Sequence, residues 1–111
     1  MNKVMLIGRL TKDAELIVLN SSSRNGLKCT LAIDRQYKNS NGEKETDFVP
    51  VAYFTEHTNK LMEYLTKGRL VSVSGKIRVK SLEDANGKRS YFTNIEADRI
   101  DFLDSKKSNA I

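Results

Sequence analysis

Residues 69–82 alternate strictly. Val71, Val73, Gly75, Ile77 and Val79 share one parity, and Ser72, Ser74, Lys76, Arg78 and Lys80 share the other. Side chains on a strand point to opposite faces in turn, so this is a strand with an apolar face predicted to be core and a polar face in solvent. The polar face ends in Lys76, Arg78 and Lys80, spaced two apart. At ~3.3 Å per residue these cations span about 13 Å, comparable to the spacing of successive phosphates on an extended nucleic-acid strand. Leu82 follows on the same parity and is predicted to point at whatever the cations hold.

The rest of the chain divides by the same signals. Asn2–Leu10 is β-rich, with a bulge or bend expected at Gly8, and Asp13–Leu19 continues it loosely. Residues 20–26, Asn-Ser-Ser-Ser-Arg-Asn-Gly, form a loop, and Leu27–Tyr37 is the next strand. Asn39-Ser40-Asn41-Gly42 closes a hairpin onto Glu45–Phe54, with Asn-Gly supplying positive-φ positions. The period then changes. Leu61, Met62 and Leu65 fall on one face of a helix predicted over Thr55–Lys67, with Thr55 or Thr58 as its cap and Gly68 beyond its last turn. A second Asn-Gly hairpin, Ala85–Lys88, joins 69–82 to a last strand, Arg89–Leu103. Three strands, a helix and two strands are the order of an all-β, five-stranded Greek-key OB barrel with one helix between its third and fourth strands.

The strand Glu45–Phe54 is apolar on both faces. Val49, Val51 and Tyr53 take one parity; Phe48, Pro50, Ala52 and Phe54 take the other. Either it is buried on both sides, or one face shows its rings to a ligand, as single-strand binders do when bases stack on aromatics beside cations. Pro50 has no N–H to donate and implies a local edge or bulge. Strict alternation places Tyr37 with Leu31 and Ile33 in the core, unless a bulge or an overhanging hairpin frees it.

Composition fits a single domain of 111 residues, predicted as residues 1–104 with a short flexible tail at 105–111. The net charge of +5 favours an anionic partner. No apolar run reaches the ~20 residues of a membrane span, and the N-terminus lacks the pattern of a signal peptide, so the protein is expected to be cytoplasmic. The single cysteine, Cys29, excludes an internal disulfide and a cysteine zinc site, and it sits in an apolar run as a buried side chain would. His57, the only histidine, has no third group beside it to orient a Cys-His pair. No cofactor, metal or catalytic residue is expected.

The chain resembles the bacterial single-stranded DNA-binding protein family over residues 1 to about 104. The resemblance lies in the opening Asn2–Glu15, in Leu31-Ala32-Ile33-Asp34-Arg35-Gln36-Tyr37-Lys38, and in Asp47-Phe48-Val49-Pro50-Val51-Ala52-Tyr53-Phe54. It continues through Leu61–Val73, Gly75-Lys76-Ile77-Arg78 and Tyr91–Asp98. It implies an OB-fold, a homotetramer, and sequence-independent binding of single-stranded DNA in replication, recombination and repair. The family's stacking positions fall on Tyr37, Phe48 and Phe54, and a fourth on Leu82, where an aromatic is usual. Its cationic contacts fall on Lys76, Arg78 and Arg35, and the alternation adds Lys80. Ala14, where the family often has proline, and Pro50 depart from its pattern. Members usually continue into a flexible linker with an acidic tip that recruits replication and repair enzymes. Ser105–Ile111 is basic instead, as in a tailless member such as those of mobile elements or in a piece of a longer chain.

Two other readings compete. One is a tailless OB-fold relative that binds single-stranded RNA or serves as a primosome-type accessory protein. The other is a small nuclease, which would need clustered carboxylates for metal; Glu96, Asp98, Asp101 and Asp104 are its candidates.

Overall fold

The computed structural model describes residues 1–18 and 25–104. Of the loop predicted over 20–26, residues 20–24 lie outside the described residues, as does the predicted tail at 105–111, while Asn25 and Gly26 belong to a strand instead, paired with Val18 and Ile17. The elements are β1 (Val4–Leu10), β2 (Glu15–Val18), β3 (Asn25–Lys38), β4 (Lys44–Phe54), α1 (Thr58–Met62), β5 (Leu70–Glu83) and β6 (Arg89–Phe102). β1 pairs with β5, β5 with β6, β6 with β4 in parallel, β4 with β3, and β3 again with β1 at Arg9–Ala32 and Leu10–Leu31. Those five strands close a barrel of the expected OB type. The loose continuation after β1 is a short strand of its own, β2, added antiparallel along β3.

Two glycines make closure possible. β1 leaves β5 and meets β3 beside Gly8, where a Cβ would sit 2.7 Å from the Ala32 carbonyl oxygen. At Gly75 a Cβ would collide with the Glu96 carbonyl oxygen. The β5–β6 register slips here, Ser74 facing Arg99 and Gly75 facing Ala97, so Asp98 is the extra residue of a bulge.

The core fills the barrel with the inward parity of each strand. Leu27, Leu31, Val51, Val71, Val73 and Leu65 are its largest fully buried side chains. Full burial of one such side chain is worth ~1.5–3 kcal/mol. Leu65 comes from the segment after α1 and plugs the barrel, tied by the Ala14 N–H donating to its carbonyl at 2.9 Å. Val49 and Tyr53 on β4 pack inward too, so of the two apolar faces of that strand one is core.

Three expectations need correction. Ile77 and Val79 share the parity of Val71 and Val73 but are exposed, because the barrel ends near Gly75 and the β5–β6 hairpin runs on past it. The helix covers Thr58–Met62, not Thr55–Lys67. Its N-cap is His57, whose N–H takes the Thr55 hydroxyl as acceptor at 3.2 Å, and Thr58 is a buried first residue rather than a cap. Gly68, at φ 87°, closes a later turn in which the Arg69 N–H bonds the Thr66 carbonyl. Finally, only glycine takes positive φ in the hairpins: Gly42 at 79° and Gly87 at 81°. Each follows a turn closed by its own N–H on Asn39 or Asp84 (2.9 and 3.0 Å), whose side chains also accept two backbone N–H bonds. These are type I turns ended by a left-handed glycine, not Asn-Gly turns of the mirror-image type.

Pro50 needs no bulge. The Thr30 carbonyl accepts from Thr11 on the far side of β3 (3.0 Å), so Thr30 and Pro50 form a non-hydrogen-bonded pair and no ladder bond to β3 is lost. On its other side β4 first pairs with β6 at Val51, one residue later, so Pro50 lies at a local edge.

Candidate nucleic-acid interface

The outward parity of β3 and β4 forms one surface. Gly26 faces Phe54, Lys28 faces Ala52, Thr30 faces Pro50 and Ala32 faces Phe48. Small side chains make its floor, and the two rings rise from it. Ala52 registers with Glu96 on β6. Across β6, Glu96 faces Lys76, Asn94 faces Arg78, Phe92 faces Lys80 and Ser90 faces Leu82. Registered neighbours on a sheet share a face. The cation ladder of β5, Phe92 of β6, and Phe48 and Phe54 of β4 therefore belong to one continuous outer surface.

That surface is hollowed. A depression of about 290 Å³ is lined by Lys12, Lys28, Pro50, Ala52, Phe92 and Asn94 among others. One of about 280 Å³, lined by Phe54, Arg78, Lys80, Asn94 and Glu96, shares Ala52 and Asn94 with it. A third of about 450 Å³ lies on the other side of Phe54, against Tyr53, Lys76, Glu96 and Asp98. Phe54 is thus a partition between two hollows, half-buried, its ring seated over Gly26 where a Cβ would come within 2.6 Å.

The other sequence-predicted residues fall as follows. Phe48 is 66% exposed and Leu82 55%, both on this face. Tyr37 is 81% exposed, not core. The register slips between the Asp34–Thr46 and Lys38–Lys44 pairs, and Asp34–Lys38 are exposed throughout, so the end of β3 overhangs the barrel and no core side chain covers Tyr37. Arg35 lies in the same overhang, on the β3–β4 hairpin rather than with the ladder. Its guanidinium is gripped by Asp47 (2.8 Å) and Glu45 (2.9 Å). Hydrogen bonding to Arg35 holds the Asp47 carboxyl below the usual range.

The ladder is partly compensated. Glu96 lies 3.7 Å from the Lys76 ammonium and 3.5 Å from Arg78 Nε, and Asp98 is 4.0 Å from Lys76. Lys80 makes no ion pair among the described residues. Exposed pairs of this kind are worth ~0–1 kcal/mol, so an incoming phosphate can replace them.

Phe92, Asn94 and Lys28 were not singled out by sequence reasoning, and Glu96 was weighed only as a carboxylate of the nuclease reading. Phe92, 52% exposed, was legible in principle: counting back from the second hairpin turn pairs it with Lys80.

The groups weighed for catalysis do not assemble. Cys29 is buried, which pushes its thiol up to about 11, far from a thiolate nucleophile. The nuclease candidates are engaged by neighbouring cations: Asp104 by Arg69, Asp101 by Arg99, Glu96 and Asp98 by the ladder. Among the described residues no group of three or more His, Cys, Asp or Glu is arranged to hold a metal ion.

Comparison with known proteins matches nearly the whole chain. The family model described as the single-strand binding protein family matches residues 1–103. Single-stranded DNA-binding protein 1 of Clostridium acetobutylicum is 37% identical over 107 residues, covering 96% of this chain and 97% of the relative. A single-stranded DNA-binding protein of Staphylococcus aureus is 38% identical, covering 98% of this chain and 69% of its own length. Among solved structures, a Plasmodium falciparum SSB complex with ssDNA superimposes with a TM-score of 0.79 at 24% identity, covering 94% of this chain and 96% of the other, and shows the same fold. With the match spanning nearly the whole chain, this protein belongs to the single-strand binding protein family.

Proposed function

We propose that the chain binds single-stranded DNA without sequence preference and catalyses no reaction. One observation carries the reading: Phe48, Phe54 and Phe92 share a continuous outer face with Lys76, Arg78 and Lys80. Rings of this kind take the faces of unpaired bases, while the cations follow the backbone. Tyr37 and Leu82 extend the surface along the two projecting hairpins, and Lys28 adds a cation at its floor. Arg35 is the weakest of the cationic contacts, because two carboxylates already hold it.

Such binding serves to cover single strands exposed in replication, recombination and repair, which goes with a cytoplasmic location. No helix among the described residues is long and apolar enough to cross a membrane.

A homotetramer is part of the proposal. Met5 and Ile7 stand exposed on the outside of β1, and Ile77, Val79 and Tyr91 on the reverse of the β5–β6 hairpin. Exposed apolar clusters of this kind mark protein contacts.

Titration with single-stranded and duplex DNA of matched length, at several salt concentrations, tests the binding. Single strands should bind far more tightly, since a duplex hides its base faces. Equal affinities would sink the reading, and a parallel titration with RNA separates the two chemistries. Light scattering at micromolar protein should give the mass of four chains; the mass of one would refute the tetramer.

A further inference from the structure

A carboxylate stands in the middle of the cationic face. Glu96 is half-buried between β4 and β5, touches both Lys76 and Arg78, and lines the hollows on either side of Phe54. If the surface were built only to attract phosphate, a negative charge at this point would work against it.

Resting on the single-strand reading above, we propose that Glu96 is a specificity-determining residue that turns away duplex DNA and other polyanions. A duplex can offer this face only its phosphates, on a stiff and densely charged rod. It cannot reach Lys76 and Arg78 without bringing phosphates against Glu96, and like charges set together at an interface weaken the wrong partner. A single strand is flexible. With a base seated against Phe54, it can turn base edges rather than phosphates toward Glu96 and run its backbone along Lys80, the ladder cation without an ion pair among the described residues. Glu96 thus lowers the charge-driven part of binding, which every polyanion shares, and spares the stacking part, which only unpaired bases have.

The experiment compares the wild-type chain with Glu96→Gln, Glu96→Asp and Glu63→Gln. Each is titrated with a thymidine oligomer, a duplex of matched length and heparin over a range of salt. In Glu96→Gln, duplex and heparin affinity should rise about five-fold, the worth of one exposed charge contact, while the thymidine oligomer gains less than about two-fold. The duplex salt slope should steepen by about 0.9, as for one more neutralised phosphate. Glu96→Asp keeps the charge and should keep the wild-type discrimination. Glu63→Gln should change little, since Glu63 is exposed at the end of α1 and lines none of the three hollows. Thermal melts accompany each titration, and Glu96→Ser gives the same reading if the glutamine variant melts early. An equal gain for single strand and duplex, or no gain for either, overturns the proposal. Failure of the wild-type chain to prefer single strands would instead strike the binding reading itself.

Discussion

Gly26 on β3 lies directly opposite Phe54 on β4, and a Cβ on Gly26 would stand 2.6 Å from Cδ1 of the phenylalanine ring and 3.2 Å from the Tyr53 carbonyl oxygen. The ring occupies the space that glycine leaves. A stacking surface on a sheet needs its aromatic held at a fixed tilt, and here the neighbouring strand sets that tilt by having no side chain.

Gly26→Ala should therefore displace the ring. Alanine favours a strand over glycine by ~0.5–1 kcal/mol, but overpacking a closed contact costs ~1–3 kcal/mol, so a small net loss of stability is expected. Single-strand binding should weaken several-fold. Titration and thermal melting on one sample check both, and unchanged affinity would mean that Phe54 is not a base platform. Phe54→Ala should weaken binding by ~1–3 kcal/mol, the worth of one stacked base.

Much of this surface was legible in the sequence because alternation reports which side of a strand a residue takes. It placed Lys76, Arg78, Lys80 and Leu82 together and set Phe48 and Phe54 apart from Val51. Parity does not report what lies on that side. Val79 has the parity of Val73, but the barrel has ended by the time the strand reaches it. The same holds for Tyr37, which has the parity of Leu31 and Ile33 but stands on the exposed end of β3, beyond the core. Glu96 was legible only as a carboxylate of the nuclease reading, not as part of the cationic face, because its neighbours come from β4 and β5 and the β4–β6 pairing is parallel and non-local.

Cys29 offers a pH prediction. Burial pushes its thiol up to about 11, above the ordinary value. The unfolded chain thus loses that proton first, so stability should fall as pH rises from the ordinary thiol range toward 11 and be unaffected by this group at neutral pH. Cys29→Ala should flatten that alkaline fall in a series of melts. In the native protein at neutral pH a thiol reagent should label Cys29 only at the rate of opening; immediate labelling would contradict its burial.

Asp104 predicts the acid side. Its carboxylate accepts from Arg69 at 2.9 Å and from the Leu70 N–H at 3.2 Å, and the Arg69 hydrogen bond is the main cause of its lowered pKa. Arg69 in turn lies 4.5 Å over the Phe102 ring, so the carboxylate helps pin the end of β6 to the start of β5. A depressed carboxyl contributes stability above its ordinary range, and the contribution disappears as pH falls through the lowered value. Asp104→Asn should melt earlier than wild type at neutral pH, and the two curves should converge in acid. A constant gap at all pH values would show that the effect is packing, not ionisation.

Leu82 should be the weak point of the binding surface. It faces Ser90 across the β5–β6 hairpin, on the same side as Lys80 and Phe92, and it is largely exposed. Tyr91 pairs with Ser81 and points the other way, which leaves Phe92, one diagonal step along, as the nearest ring on its own face. Leucine can touch a base but has no flat π-face, and an aromatic there would be worth up to ~1–3 kcal/mol per base, less what leucine contact already supplies. Leu82→Trp should tighten single-strand binding several-fold and leave the salt slope unchanged, since it adds no phosphate contact. Leu82→Ala should lose less affinity than Phe54→Ala, and neither Leu82 variant should move the melting temperature much, because the hairpin lies outside the packed barrel. Titration of the tryptophan variant at two salt concentrations decides the matter. A gain at both would put the strand on the outer hairpin face as far as residue 82; no gain at either would mean that the strand leaves the ladder before reaching it.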